Sequence, residues 1–368
     1  MINANVLCIR GGREVLAVST ANNACSFVDT TTSFAPKDAY TIRGDSPILS
    51  TTFFLDQYVA FATMSGKLVI HDFKKGLLVG EVRDHGKWAV QVACWNGDGK
   101  SDDILLATAG WDMRVNLYSL SRSSYAAGTP KLEPATHSIT LSSNPESILF
   151  VTNPDTHELY LLASRRDSSF VYYYRVVRAN STSTLEPAGR QNLAPHSNAW
   201  VAFTPSALAL SPIDPTLLAV ATSHLPHLKV IVVRLLFPDT SGRPDQEAPQ
   251  TAAAVARADL ALQDKEDAAI SLQVSTMAPQ TPYSTPQIAW RPDGSGVWVN
   301  GDDGVVRGVE IKTGKVVALL RAHEAGSKVR TLWAGYVGEN DGQKREIVAS
   351  GGFDRKAFIW EVDENEQP

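Results

Sequence analysis

Apolar runs of about six residues recur along the chain, and each is met across a short polar turn by a second run. Runs of this length, rich in β-branched and aromatic residues and bounded by turn formers, predict β-hairpins. Seven can be followed. Val15–Thr20 meets Cys25–Asp29 across Asn22-Asn23, a pair that tolerates the positive φ angles of a type I′ turn. Tyr58–Thr63 meets Lys67–Asp72 across Ser65-Gly66, and Ile104–Thr108 meets Val115–Ser119 beside Asp112. Leu159–Ser164 meets Phe170–Tyr174, and Leu217–Ala221 meets Lys229–Arg234. Val297–Asn300 meets Val305–Glu310 beside Asp303, and Ile347–Ser350 meets Ala357–Val362 beside Asp354. The turns lie roughly one repeat unit apart except across residues 238–267, where alternation gives way to Pro, Ala, Gln and charge. That composition predicts a flexible insertion, within which Ala252–Gln263 suits a short helix.

The last unit carries the most specific signal. Arg321-Ala-His-Glu leads into Val329-Arg-Thr-Leu-Trp, and after a polar loop comes Ile347-Val-Ala-Ser-Gly-Gly-Phe-Asp-Arg-Lys-Ala-Phe-Ile-Trp-Glu-Val362. This stretch resembles a WD40 repeat, a unit of about 40–45 residues that forms one four-stranded propeller blade. His323, Ser350, Asp354 and Trp360 stand where that family keeps a hydrogen-bonded tetrad, and Glu361 replaces the closing Asp. The third unit repeats the pattern with His85, Thr108, Asp112 and Tyr118. The other units are weaker: His71-Asp72 replaces Trp-Asp, Val28 and Val309 take the Trp position, and Asp167 sits one residue early. The resemblance implies an all-β, seven-bladed propeller, one domain over residues 1–368, in which these polar residues brace the blades.

Ring closure is expected to be unusual. Val6-Leu-Cys-Ile-Arg-Gly-Gly-Arg-Glu-Val-Leu-Ala17 has the strand-to-strand length of Ile288–Val299, so the first strand already opens blade one. Three strands then remain for the last blade. Its edge, Lys356–Val362, is either open to strand addition by a partner or guarded by Lys356, Glu361 and the acidic tail.

Charge and composition narrow the function. A formal net charge of −5 argues against general nucleic-acid binding, which rests on clustered Lys and Arg. Cys8, Cys25 and Cys94 are too few and too scattered for a disulfide framework or zinc knuckle, and no segment has the length of a membrane span. A cytoplasmic or nuclear protein is expected. The His, Ser and Asp of the tetrads are also the residue types of acyl-transfer triads, but their positions fit the bracing role. Cys94-Trp-Asn-Gly-Asp-Gly-Lys-Ser101 comes within one residue of a phosphate loop, yet it leads into a strand rather than a helix. Read as a calcium loop, Asn96–Asp103 lacks its leading carboxylate, since Cys94 occupies that position, and the similar Glu339–Gly342 is also incomplete. His224 and His227 have no third ligand nearby. No catalytic residue, metal or cofactor is assigned.

What remains is a surface. In WD40 proteins the residue before the tetrad Asp points to the upper face; here these are Trp111, Asp302 and Phe353. Lys87, Trp88, Asn198, Trp200 and Lys328 lie in the approaches to the first strand of their blades and should crowd the same face. Exposed aromatics with cationic neighbours are the composition of interface hot spots, the alternative being that the Trp rings pack between blades. The expected function is a non-catalytic scaffold binding other proteins, in a larger intracellular assembly. The rival readings are a propeller hydrolase and a recognition module for a modified peptide or nucleic acid.

Overall fold

Each expected hairpin forms the middle two strands, b and c, of an antiparallel sheet in the computed structural model, which describes residues 6–12, 15–31, 34, 36–97, 99, 101–179, 182–239, 251–340 and 343–362. In six sheets a strand a precedes the hairpin and a strand d follows it, giving the order a-b-c-d. The seventh sheet has three described strands, Val329–Asn340, Gln343–Gly352 and Ala357–Val362. The fold is a seven-bladed β-propeller, as the sequence predicts. Val6–Gly11 is strand a of blade one, again as predicted from its length.

The innermost strands, Val6–Gly11, Ile48–Phe54, Ala89–Trp95, Pro145–Thr152, Pro205–Leu210, Ile288–Trp290 and Val329–Asn340, touch in succession, and the first packs on the last. The Ile9 amide donates to Thr331 Oγ1 across that junction at 3.0 Å, joining positions 322 residues apart. Strands b such as Val15–Thr20 and Tyr58–Thr63 are buried throughout because a blade lies against each of their faces. That is why they read as continuous apolar runs without alternation. The core is correspondingly divided: seven apolar clusters fill the seven gaps between neighbouring blades.

The structure departs from the sequence reading in several places. Of Asn22 and Asn23 only Asn23 has a positive φ (59°), so the first hairpin does not form the expected type I′ turn, which needs two such residues. Blade three inserts a short helix, α1 (Arg122–Ala126), before its strand d (His137–Thr140), and blade four has a strand d at Thr182–Asn192; neither strand announces itself in the sequence. Within the insertion, a second helix, α2, spans Ala252–Ala269 and so runs six residues past the expected Gln263. Thr251 caps it by accepting from the Ala254 amide. Its last turn is tied to blade four, where buried Glu266 accepts from the Asn192 amide at 2.7 Å. Residues 240–250 of the expected insertion lie outside the described residues. Glu339 and Asn340, expected in a loop, continue strand a of blade seven.

Candidate interaction face

Two loop sets build the upper face: the b–c turns and the connections from each strand d to the next strand a. A backbone bond joins them. In blade three the Trp111 amide donates to the Trp88 carbonyl at 2.9 Å, and in blade seven the Phe353 amide donates to the Lys328 carbonyl at 3.0 Å. Blades two, four and five repeat it with Met64 to Pro47, Arg166 to Asn144 and Ser223 to Thr204.

The polar groups predicted in blades three and seven brace this junction from below. His85 Nδ1 lies 2.9 Å from Asp112 Oδ1, and Nε2 lies 2.8 Å from Thr108 Oγ1. An ionised carboxylate only accepts, so Nδ1 carries the proton. The Gly86 amide donates to the second carboxylate oxygen, and the Tyr118 side chain is buried in the same blade. Burial pushes the Asp112 carboxyl upward, but its bonds from His85 and Gly86 outweigh this and hold it below the usual range. Blade seven repeats the arrangement with His323 bonded to Asp354 at 2.9 Å and to Ser350 Oγ at 2.7 Å. Its Trp360 is placed differently from Tyr118. The indole sits beside the Phe358 ring, and that ring meets His323 edge-on at 4.7 Å. Asp354 is depressed like Asp112, burial opposing and the His323 bond prevailing.

Blade six uses a different brace that the sequence did not reveal. Arg307, buried in strand c, grips Asp303 with two bonds, at 3.1 and 2.6 Å. This occupies the site that His and Ser serve elsewhere, and Arg in a strand reads as a surface residue until its partner is seen. In blade four, Ser164 pairs with Val171, seven residues on, whereas Thr108 and Ser350 pair eight residues on. That turn is one residue shorter, and Asp167 occupies its left-handed position (φ 59°) instead of bracing.

Above these braces the predicted contact residues divide into two groups. Trp88 and Trp111 stack with centroids 4.6 Å apart and planes 18° from parallel; Trp88 is exposed and Trp111 half-buried beneath it. Exposed Lys87 adjoins them. Trp200 is 99% exposed, and Phe353 is exposed with the Arg330 guanidinium 5.9 Å from its ring centre. Asp302 and Lys328, by contrast, are engaged with each other at 2.8 Å and with Thr281, and Asp302 also accepts from Ser284. They fix the approach to blade six and offer little free polar capacity to a partner. The structure adds Tyr283, which is 87% exposed on the same face. Its setting, Thr281-Pro-Tyr-Ser-Thr-Pro286, is a proline-bounded loop tip that could have flagged it. Of five exposed aromatic side chains among the described residues, Trp88, Trp200, Tyr283 and Phe353 share this face, and only Tyr336 does not.

Comparison with known proteins agrees with the architecture. The chain belongs to the family described as UCP007778, beta-propeller domain, matched over residues 2–361. No curated protein matches it. Among the described residues, no helix of this propeller is long and apolar enough to cross a membrane.

Proposed function

We propose that this propeller is a non-catalytic platform that binds other proteins through its upper face, as a WD40-type subunit of an intracellular assembly. One observation carries the reading: among the described residues, four of the five exposed aromatic side chains stand on that face, three of them on loops of the braced blades three, six and seven. Isolated exposed apolar side chains need no explanation, but aromatic rings gathered on one face mark an interaction surface. Trp and Tyr are the side chains that most often dominate binding energy, because a large rigid ring is desolvated at little entropic cost. The His, Ser/Thr and Asp groups that resemble catalytic triads are saturated by one another and by backbone amides, which supports a bracing role for them.

Affinity capture with the tagged chain, followed by mass spectrometry, tests this. The Trp88→Ala/Trp200→Ala variant should lose a defined set of partners that an Ile213→Ser variant, altered at an exposed apolar residue of an a–b loop, retains. Equal capture by both variants would contradict the assignment of the face.

A further inference from the structure

Blade seven stops at an edge that the other six blades cover. In blades one to six strand c pairs with a strand d, and each of those strands c has at least three buried residues. In blade seven strand c is Ala357–Val362, and none of its residues is buried. Its side chains are seated on both sides: Ala357 and Ile359 pack toward blade one, Trp360 and Val362 toward blade six. The outer edge of the strand is what lies open, since among the described residues no strand pairs with it. Such edges are usually blunted by Pro, by bulges or by charge. This strand has no Pro, and its ladder with Gln343–Gly352 runs without a register shift. The flanking charges are engaged within the molecule, Lys356 with Glu324 at 3.1 Å and Glu361 with Arg345 at 3.5 Å. Between them Ala357, Phe358, Ile359 and Trp360 form an uncharged, unguarded edge.

Residues 1–5 and 363–368 lie outside the described residues, and their lengths do not suit the role. The shortest connections from a strand d to the next strand a, residues 44–47 and 141–144, take four residues, which leaves one of residues 1–5 for a strand. The shortest connection from strand c to strand d, residues 180–181, takes two, which leaves residues 365–368, Asn-Glu-Gln-Pro, without an apolar side chain. The neighbouring blade shows what a strand d requires. In Val316–Arg321 packed and exposed residues alternate, and Ala318 and Leu320 are the ones set against the apolar cluster between blades six and seven. An occupant of the open edge therefore needs an apolar side chain at every second position.

We propose that the outer edge of blade seven docks an extended segment of another protein, which adds to Ala357–Val362 as an antiparallel fourth strand. Backbone hydrogen bonds supply the pairing and alternate apolar side chains the fit. This site lies on the side of the ring and does not depend on the upper face. A labelled peptide of residues 315–321, the chain's own strand d of blade six with its preceding Lys, serves as the probe, read by fluorescence anisotropy. It should bind the unaltered chain at one saturable site. Of two versions N-methylated at alternate amides, one along each edge of the peptide, one should bind at least tenfold more weakly and the other should not, because a strand docks by a single edge. Fusing the same residues after Pro368 through a Gly-Ser linker should fill the edge, raise the melting temperature and abolish peptide binding. Outward amides of residues 357–362 should exchange fast in the free chain and at least tenfold more slowly with the peptide bound. Full protection of those amides in the free chain would overturn the proposal, because the chain would then cover its own edge. So would the absence of saturable binding, or binding that both methylated peptides retain or the fused strand leaves intact. A dimer in sedimentation that the fusion disperses would make the occupant a second copy and overturn the assignment to another protein.

Discussion

At the scale of single residues, the braces under the upper face are where charge and stability meet. Asp354→Ala removes the acceptor of His323 and of the Glu324 amide and should cost about 1–3 kcal/mol in urea unfolding, the usual cost of stranding buried donors. From sequence alone a smaller cost is expected for Asp303→Ala, since Val309 stands where the resemblance places the tetrad Trp. The structure changes that expectation, because the substitution leaves the buried Arg307 guanidinium without its carboxylate. Asp303→Ala should therefore cost at least as much as Asp354→Ala, and adding Arg307→Met should recover part of the loss. A midpoint for Asp303→Ala close to that of the unaltered chain would show that Arg307 finds another acceptor. Acid should act on the same groups. Asp112, Asp303 and Asp354 are all held below their ordinary value of 3.8 in the folded chain, so folding binds fewer protons at these sites than unfolding. Their contribution is present above about pH 4 and is lost as pH falls through the folded values. Urea midpoints of the unaltered chain should drop steeply below pH 4, and the drop should be shallower in Asp354→Asn.

At the scale of elements, legibility followed burial. Strands b, sealed between blades, had to be apolar nearly throughout, and strands c followed from the tight turns that join them, so both were found from sequence. The missed strands d are outer and half-exposed: His137–Thr140 and Thr182–Asn192 alternate with polar residues that read as loop. The braces were legible where they used His and Asp at the family spacing and illegible where Arg307 replaced them. Helix α2 shows a third case. Its exposed middle, with Val255, Leu260 and Leu262 facing solvent, gives no amphipathic signal, and its anchorage lies in its last turn, where the Glu266 carboxylate and Ala269 are buried. Glu266→Ala should weaken that anchorage by about 1–3 kcal/mol and free the Asn192 amide. Hydrogen exchange should then quicken across the last turns of α2 and at Asn192, with the remaining blades unaffected. Unchanged protection at Asn192 would show that the helix is held by other contacts.

For the whole molecule, ring closure by packing of the first innermost strand on the last gives seven blades around one channel and sorts the loops onto two faces. The contact residues could be placed on one face from sequence because the repeat fixes which loops share it, whereas exposure had to be seen. Asp302 and Lys328 are taken up by each other; Trp88, Trp200, Tyr283 and Phe353 are not buried. The central claim is that partners meet this face, and site-specific photo-cross-linking tests it most directly. A photoreactive phenylalanine placed at Trp200, at Tyr283 and, as the opposing control, at Ile213 reports which face a partner covers in the assembled state. The account predicts discrete cross-linked products from positions 200 and 283 and none from 213; products from 213 alone would contradict it.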